Sequence, residues 1–169
     1  MTMSNDTAAV QLEGVIKSFG DHVAVNDLSF CVPKGVIYGF LGPNGAGKTT
    51  TLRMLIGIFY PDEGRISVLG QSNPAAVKER IGYLPEDRGI YDKMKLGELV
   101  SYFGELKGMP AALARSRADE VLVKFGLGEW RDAKCQVLSK GMAQKAQILA
   151  TILHEPELVI LDEPFAGLD

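Results

Sequence analysis

Only two cysteines, Cys31 and Cys135, two histidines and one tryptophan occur in 169 residues. The cysteines lie far apart, form no CxxC pair and sit at no metal-ligand spacing from His22 or His154. That pattern excludes a zinc site and a disulfide framework, and leaves reduced structural thiols. No apolar run approaches the roughly 18 residues that span a bilayer. The opening MTMSNDTAAV lacks the basic and apolar regions of a signal peptide, so the chain is read as cytosolic. An excess of one charge is missing too: 18 Lys and Arg stand against 21 Asp and Glu, a net charge of -3. With no basic stripe on any expected helix face, no nucleic acid is expected as a partner. There is no internal repeat, low-complexity tract or long linker. What is present, 46% hydrophobic and 23% charged residues, suffices for one globular domain with a buried core.

Apolar patterning gives an α/β chain. Strand-like runs occur at about Val10 to Ile16, Val23 to Val32 and Val36 to Leu41, followed by a Gly-rich turn and the helical stretch KTTTLRMLIGI. A hairpin-like GRISVLG and a short strand IGYLP come next. Leu96, Leu99, Val100, Phe103 and Leu106 then recur at helical spacing. Met109-Pro110 punctuates the start of a second helix carrying Leu113, Val121, Leu122 and Phe125. A third helix, from about Ser139 to Leu153, places Met142, Ala146, Leu149 and Leu153 on one face. ELVIL, apolar without alternation, reads as a parallel strand buried on both faces.

Residues 42 to 49, GPNGAGKT, match the phosphate-loop pattern G-x-x-x-x-G-K-[ST]. A chance match in a chain this long is below roughly 1% at ordinary residue frequencies. The chemistry requires glycine because successive backbone N–H groups turn inward around phosphate oxygens, which a Cβ at Gly45 or Gly47 would obstruct. Gly42, Pro43, Asn44, Gly45, Ala46 and Gly47 form the loop. Lys48 supplies a point charge between the β and γ phosphates, Thr49 offers a hydroxyl to Mg²⁺, and Thr50 shares the first helical turn, whose positive dipole end faces the ligand.

The segment LVILDEP begins at Leu158 and ends its aliphatic run in an acidic pair. A buried strand delivers Asp162 to its carboxyl end, where ligand crevices of α/β sheets lie. Asp162 is there placed to hold Mg²⁺, and Glu163 to accept a hydrogen bond from the water that attacks the γ-phosphorus, as general base or positioner.

About twenty residues before Asp162 stands LSKGM, which resembles the LSGGQ signature of ATP-binding cassette (ABC) ATPases. The resemblance covers essentially the whole chain and is closest to ATPase subunits of bacterial exporters whose membrane component is a separate polypeptide. It implies a P-loop ATPase core with an antiparallel β-subdomain and an inserted helical subdomain at about residues 88–138. The chain, residues 1–169, would then be one nucleotide-binding domain, incomplete after the D-loop, since the switch histidine of the family has no counterpart. The resemblance further implies that Ser139 and Gly141 contact the ATP of a second subunit. Lys140 and Met142 depart from the pattern, and Ser139 is equally a helix N-cap. Phe19 in KSFG matches the aromatic that stacks on adenine. Glu86 in YLPEDRG replaces the usual glutamine near the metal, and Asp169 in AGLD matches the D-loop aspartate. The implied protein binds ATP and Mg²⁺, pairs with a second ATPase subunit, most simply a copy of itself, and docks on a transmembrane permease, cytoplasmic and peripheral to the membrane. Two rival readings are a soluble cassette protein working on ribosomes or DNA, and a nucleotide-binding module without hydrolysis.

Overall fold

The structure, a computed structural model, describes residues 8–86 and 91–164. It divides into two compact units, residues 1–78 and 79–169.

The first unit is built on three strands, β1 (Ala8–Phe19), β2 (His22–Pro33) and β3 (Glu63–Val68), in the order β2-β1-β3 and antiparallel throughout. β1 is central because its apolar residues answer neighbours on both sides. Leu12 pairs with Phe30 on β2 and Ile66 on β3, and is buried. β1 and β2 close through Gly20 at φ 59°, the left-handed region that glycine enters without a Cβ clash. The helix α1 (Lys48–Leu55) rests on this sheet through buried Thr51, Met54 and Leu55, and stops before Gly57 at φ 74°.

Val36 to Leu41, expected as a strand entering the phosphate loop, forms none. Tyr38 and Phe40 both stack on Phe30 of β2, at 5.8 and 5.3 Å between ring centroids, so the segment keeps a strand's two-residue alternation. It makes no ladder with any described residue, and Ile37 and Leu41 are 104% and 92% exposed. An apolar extended run becomes a strand only when a neighbour takes up its backbone N–H and C=O groups.

In the second unit β4 (Ile81–Leu84) and β5 (Leu158–Leu161) pair in parallel, from Ile81 opposite Leu158 to Leu84 opposite Leu161. Arg80 grips Glu157 with two hydrogen bonds of 2.5 and 2.7 Å just ahead of both strands, which fixes that register. The helices α2 (Leu96–Leu106), α3 (Ala111–Lys124) and α4 (Lys140–Ile152) enclose a core of Leu96, Val100, Ala118, Leu122, Leu127, Ala146, Leu149 and Leu153. Met142 packs against it, so the expected face of α4 is observed. α3 differs from expectation: Leu113 and Phe125 are exposed, and Ala114, Ala118 and Leu122 face inward. The reason is close approach. A Cβ on Gly104 of α2 would lie 3.4 Å from the Ala114 Cβ and 2.7 Å from Leu153 Cδ2, so the crossing admits only small residues. β5 also departs from expectation, because only Ile160 is buried while Val159 and Leu161 are exposed. Its ladder runs to β4 alone among the described residues.

His154, just past α4, has both ring nitrogens buried without a hydrogen-bond partner among the described residues. Burial holds its pKa below the usual imidazole range, and the Lys107 ammonium acts in the same direction. The unfolded chain therefore takes up this proton first as pH falls below about 6.5. The His154 contribution to stability is present above that pH and is lost as pH drops toward the folded-state pKa. His154→Leu is expected to flatten the fall in denaturant midpoint between pH 7.5 and 5.5; an unchanged slope would mean that other groups cause it.

Candidate functional site

In the first unit the chain turns sharply between Gly42 and Gly47. Gly45 and Gly47 have φ of 80° and 79°, which a side-chain-bearing residue reaches only at a cost of about 1–2 kcal/mol. Only Gly47 is also sterically closed: a Cβ there would lie 2.2 Å from the Ala24 carbonyl oxygen of β2, whereas one on Gly45 would meet nothing within 4 Å. The Ala46 N–H donates to the Pro43 carbonyl at 3.2 Å, and Thr51 ties the helix to the loop by donating its N–H and its hydroxyl to the Gly47 carbonyl, both at 2.9 Å.

α1 starts with no side-chain cap and no acid in its first turn. Its N-terminal dipole is thus unopposed, and such a start receives phosphate oxygens through backbone N–H groups. Lys48 Nζ donates to the carbonyls of Gly42 and Pro43 at 2.8 and 2.9 Å, folding the cation over the loop. Thr49 and Thr50 follow in the first turn of α1. The loop, the cation and the open helix start fit a polyphosphate on geometry alone.

Phe19, 44% exposed, ends β1 at the hairpin turn. Phe59 meets it edge-on at 5.2 Å, and Lys17 Nζ lies 5.4 Å from its ring centroid. Asp62 holds that corner by accepting from Lys17 Nζ and the Ser18 N–H, both at 2.7 Å. These two bonds, the lysine's first, hold the Asp62 carboxyl below the usual carboxylate range. Phe19 is therefore a braced, partly exposed ring, not a core aromatic.

In the second unit the parallel pairing of β4 and β5 brings Glu86, Asp162 and Glu163 to the carboxyl ends of adjacent strands. The Asp162 N–H donates to the Leu84 carbonyl at 2.9 Å, and the residue is 2% exposed. Glu163 is exposed, with φ at 47°. A left-handed backbone on a residue other than glycine is held there by its surroundings, and such outliers cluster at functional sites. Glu86 is exposed as well.

Ser139 precedes α4 with an extended backbone, and its hydroxyl accepts the Met142 N–H at 3.3 Å. It is the N-cap that the sequence suggested. A Cβ on Gly141 would meet nothing within 4 Å, so that face of the helix start is open. Lys140 is exposed beside it. Asp169 lies outside the described residues.

Sequence reasoning missed Gln144, a buried polar residue of α4 whose side-chain amide donates to the Pro164 carbonyl beside Glu163. No sequence signal pointed to it, since a glutamine in a helix reads as solvated.

A family model described as "ABC transporter" matches residues 25–166. The chain is 44% identical to the uncharacterized ABC transporter ATP-binding protein YhaQ of Bacillus subtilis (strain 168), over 94% of its own length and 53% of that protein. It is 40% identical to the Nod factor export ATP-binding protein I of Bradyrhizobium diazoefficiens, over 100% of its length and 56% of that protein. The chain thus spans a little more than half the length of these curated relatives. Among solved structures, one described as the ATP binding subunit of an ABC transporter superposes with a TM-score of 0.82 at 30% identity, covering 94% of this chain and 68% of that one. CbiO1 from Clostridium perfringens, described as part of the ABC transporter complex cbiONQ, gives 0.83 at 26% identity, covering 96% and 68%. The fold is that of a P-loop ABC ATPase core, as the sequence led us to expect.

Proposed function

The chain belongs to the ABC transporter family, and from that premise we propose that it binds and hydrolyses ATP as the energising subunit of a membrane transporter, most simply an exporter. The observation that carries the reading is the loop of residues 42–48, with left-handed Gly45 and Gly47 and a lysine folded across the carbonyls of Gly42 and Pro43. The relative named for Nod factor export favours export. That one neighbour is part of the ABC transporter complex cbiONQ favours a subunit that works within a larger transporter complex. No described helix is long and apolar enough to cross a membrane. A cytoplasmic subunit held at the membrane by a permease accords with these observations.

In this reading the ATP phosphates are taken up by the N–H groups of the loop and of the start of α1, with Lys48 moving its donors from the Gly42 and Pro43 carbonyls to phosphate oxygens. Phe19 stacks on the adenine. Thr49 and Asp162 are the residues that would hold Mg²⁺, with Glu86 close to it. A hydroxyl and a carboxylate are the hard oxygen donors that this ion takes, usually one or two from protein and the remainder from phosphate and water. Mg²⁺, when bound, neutralises charge on the β and γ phosphates. Glu163 accepts a proton from, or orients, the attacking water. Ser139 and Gly141 of one subunit, together with Asp169, serve the nucleotide of a second copy, so that closure of two chains completes both sites.

Lys48→Ala tests this directly. Steady-state phosphate release from the full-length protein is expected to fall at least about 100-fold, in line with the loss of one preorganised charge at a transferring phosphate. An unchanged rate would remove the loop from the reaction.

A further inference from the structure

Four side chains are buried polar or charged groups among the described residues: Thr51, Ser101, Gln144 and Asp162. The Thr51 hydroxyl holds the Gly47 carbonyl of the phosphate loop, and Ser101 returns its hydroxyl to the Glu98 carbonyl within its own helix. Asp162 is one of the acid pair. Gln144 has no place in the proposed chemistry, yet it is 5% exposed.

Its position on α4 makes that burial informative. The core-facing stripe of α4 runs through Met142, Ala146, Leu149 and Leu153. Gln144 stands two residues from both Met142 and Ala146, so the helical repeat turns it away from that core. On that other side its Nε2 donates to the Pro164 carbonyl, in the segment that follows β5. Oε1 is buried without a hydrogen-bond partner among the described residues. A solvent-facing glutamine would leave both ends in water. This one gives up hydration at both ends while the structure supplies a partner to only one, a local cost of the kind found where function fixes a residue.

The carbonyl it holds is one residue beyond Glu163, whose backbone sits at φ 47°. Ahead of that residue, the Asp162 N–H is tied to the Leu84 carbonyl. The acid turn is therefore pinned on both sides, by β4 before Glu163 and by α4 after it. The same helix is capped by Ser139, five residues before Gln144.

We propose that Gln144 is a positioning residue that clamps the Asp162–Glu163–Pro164 turn to α4, holding Glu163 in its left-handed conformation and joining it to the Ser139 end of that helix as one mechanical piece. The clamp itself is a property of the nucleotide-free protein; its effect on turnover rests on the ATPase reading above. Gln144 touches no substrate. It sets where the Glu163 carboxylate lies, so its loss lowers the rate of the chemical step and leaves nucleotide binding in place.

The test compares wild type, Gln144→Met and Gln144→Glu in the full-length protein. Methionine keeps the length and removes the donor, whereas glutamate keeps the shape and sets an acceptor against the Pro164 carbonyl. Should Gln144→Met fail to fold, Gln144→Glu gives the same readouts. Amide hydrogen exchange without nucleotide is expected to quicken at least about tenfold at residues 162–163, while residues 146–152 of α4 stay as protected as in wild type. Turnover number is expected to fall at least about tenfold with KM for ATP within about twofold. Unchanged exchange at 162–163 overturns the clamp, and unchanged turnover number overturns the positioning role. A wild-type protein that releases no phosphate fails the ATPase reading instead, and the exchange comparison then still decides the clamp.

Discussion

Glu163→Gln is expected to lower steady-state ATP turnover roughly 10²- to 10⁴-fold, the usual contribution of a positioned general base, while ATP affinity stays within a few-fold of wild type. Glutamine preserves the length and hydrogen-bonding reach of the side chain but accepts no proton at neutral pH. It also leaves the φ of 47° at this position no more strained than before, so the backbone turn survives the exchange. The effect is therefore confined to the chemical step and the fold is spared. Phosphate release and equilibrium nucleotide binding on the same preparation separate the two. Turnover equal to wild type would remove Glu163 from the reaction and leave Asp162 as the functional acid of the pair.

The second large effect is expected at Gly47. Alanine there meets two obstacles at once. The left-handed backbone at φ 79° costs about 1–2 kcal/mol for any residue with a Cβ. The added carbon would also lie 2.2 Å from the Ala24 carbonyl oxygen and 3.0 Å from Val25 Cγ2. Ala24 and Val25 belong to β2, which is paired along its length with β1, so the strand cannot retreat without disturbing that ladder. Overpacking of this kind adds about 1–3 kcal/mol. The loop is then expected to leave its nested form, with ATP affinity reduced at least about tenfold. Gly45→Ala is the control, because it shares the backbone strain and finds open space. Denaturant midpoints and nucleotide affinities should fall in the order wild type, Gly45→Ala, Gly47→Ala. Equal values for the two variants would show that backbone strain alone, and not contact with β2, sets the glycine requirement at Gly47.

What the sequence revealed and what it hid follow one physical division. GPNGAGKT was legible because a phosphate loop is a local object: its glycines, its lysine and the helix start all lie within eight consecutive residues. Ser139 was legible as a cap for the same reason, as was the face of α4, whose apolar spacing follows the helical repeat. Val36 to Leu41 was misread because a strand is completed by distant chain, and local apolarity says nothing about whether a partner stands beside it. The face of α3 was misread because Leu113 and Phe125 carry more hydrophobicity than Ala114 and Ala118. The tight crossing at Gly104, invisible in sequence, reverses that preference. Gln144 stayed hidden because its role depends on a carbonyl twenty residues away.

The joining of the acid turn to the helix that Ser139 caps bears on the central claim, which is that two copies of this protein close on ATP. That claim is tested most directly by the sedimentation mass of full-length Glu163→Gln with and without Mg-ATP. Slow turnover in this variant holds the nucleotide-bound state, so the account predicts one protomer's mass without nucleotide and twice that mass with it. A mass that stays unchanged while ATP is bound would contradict closure between copies and confine the chemistry to a single chain.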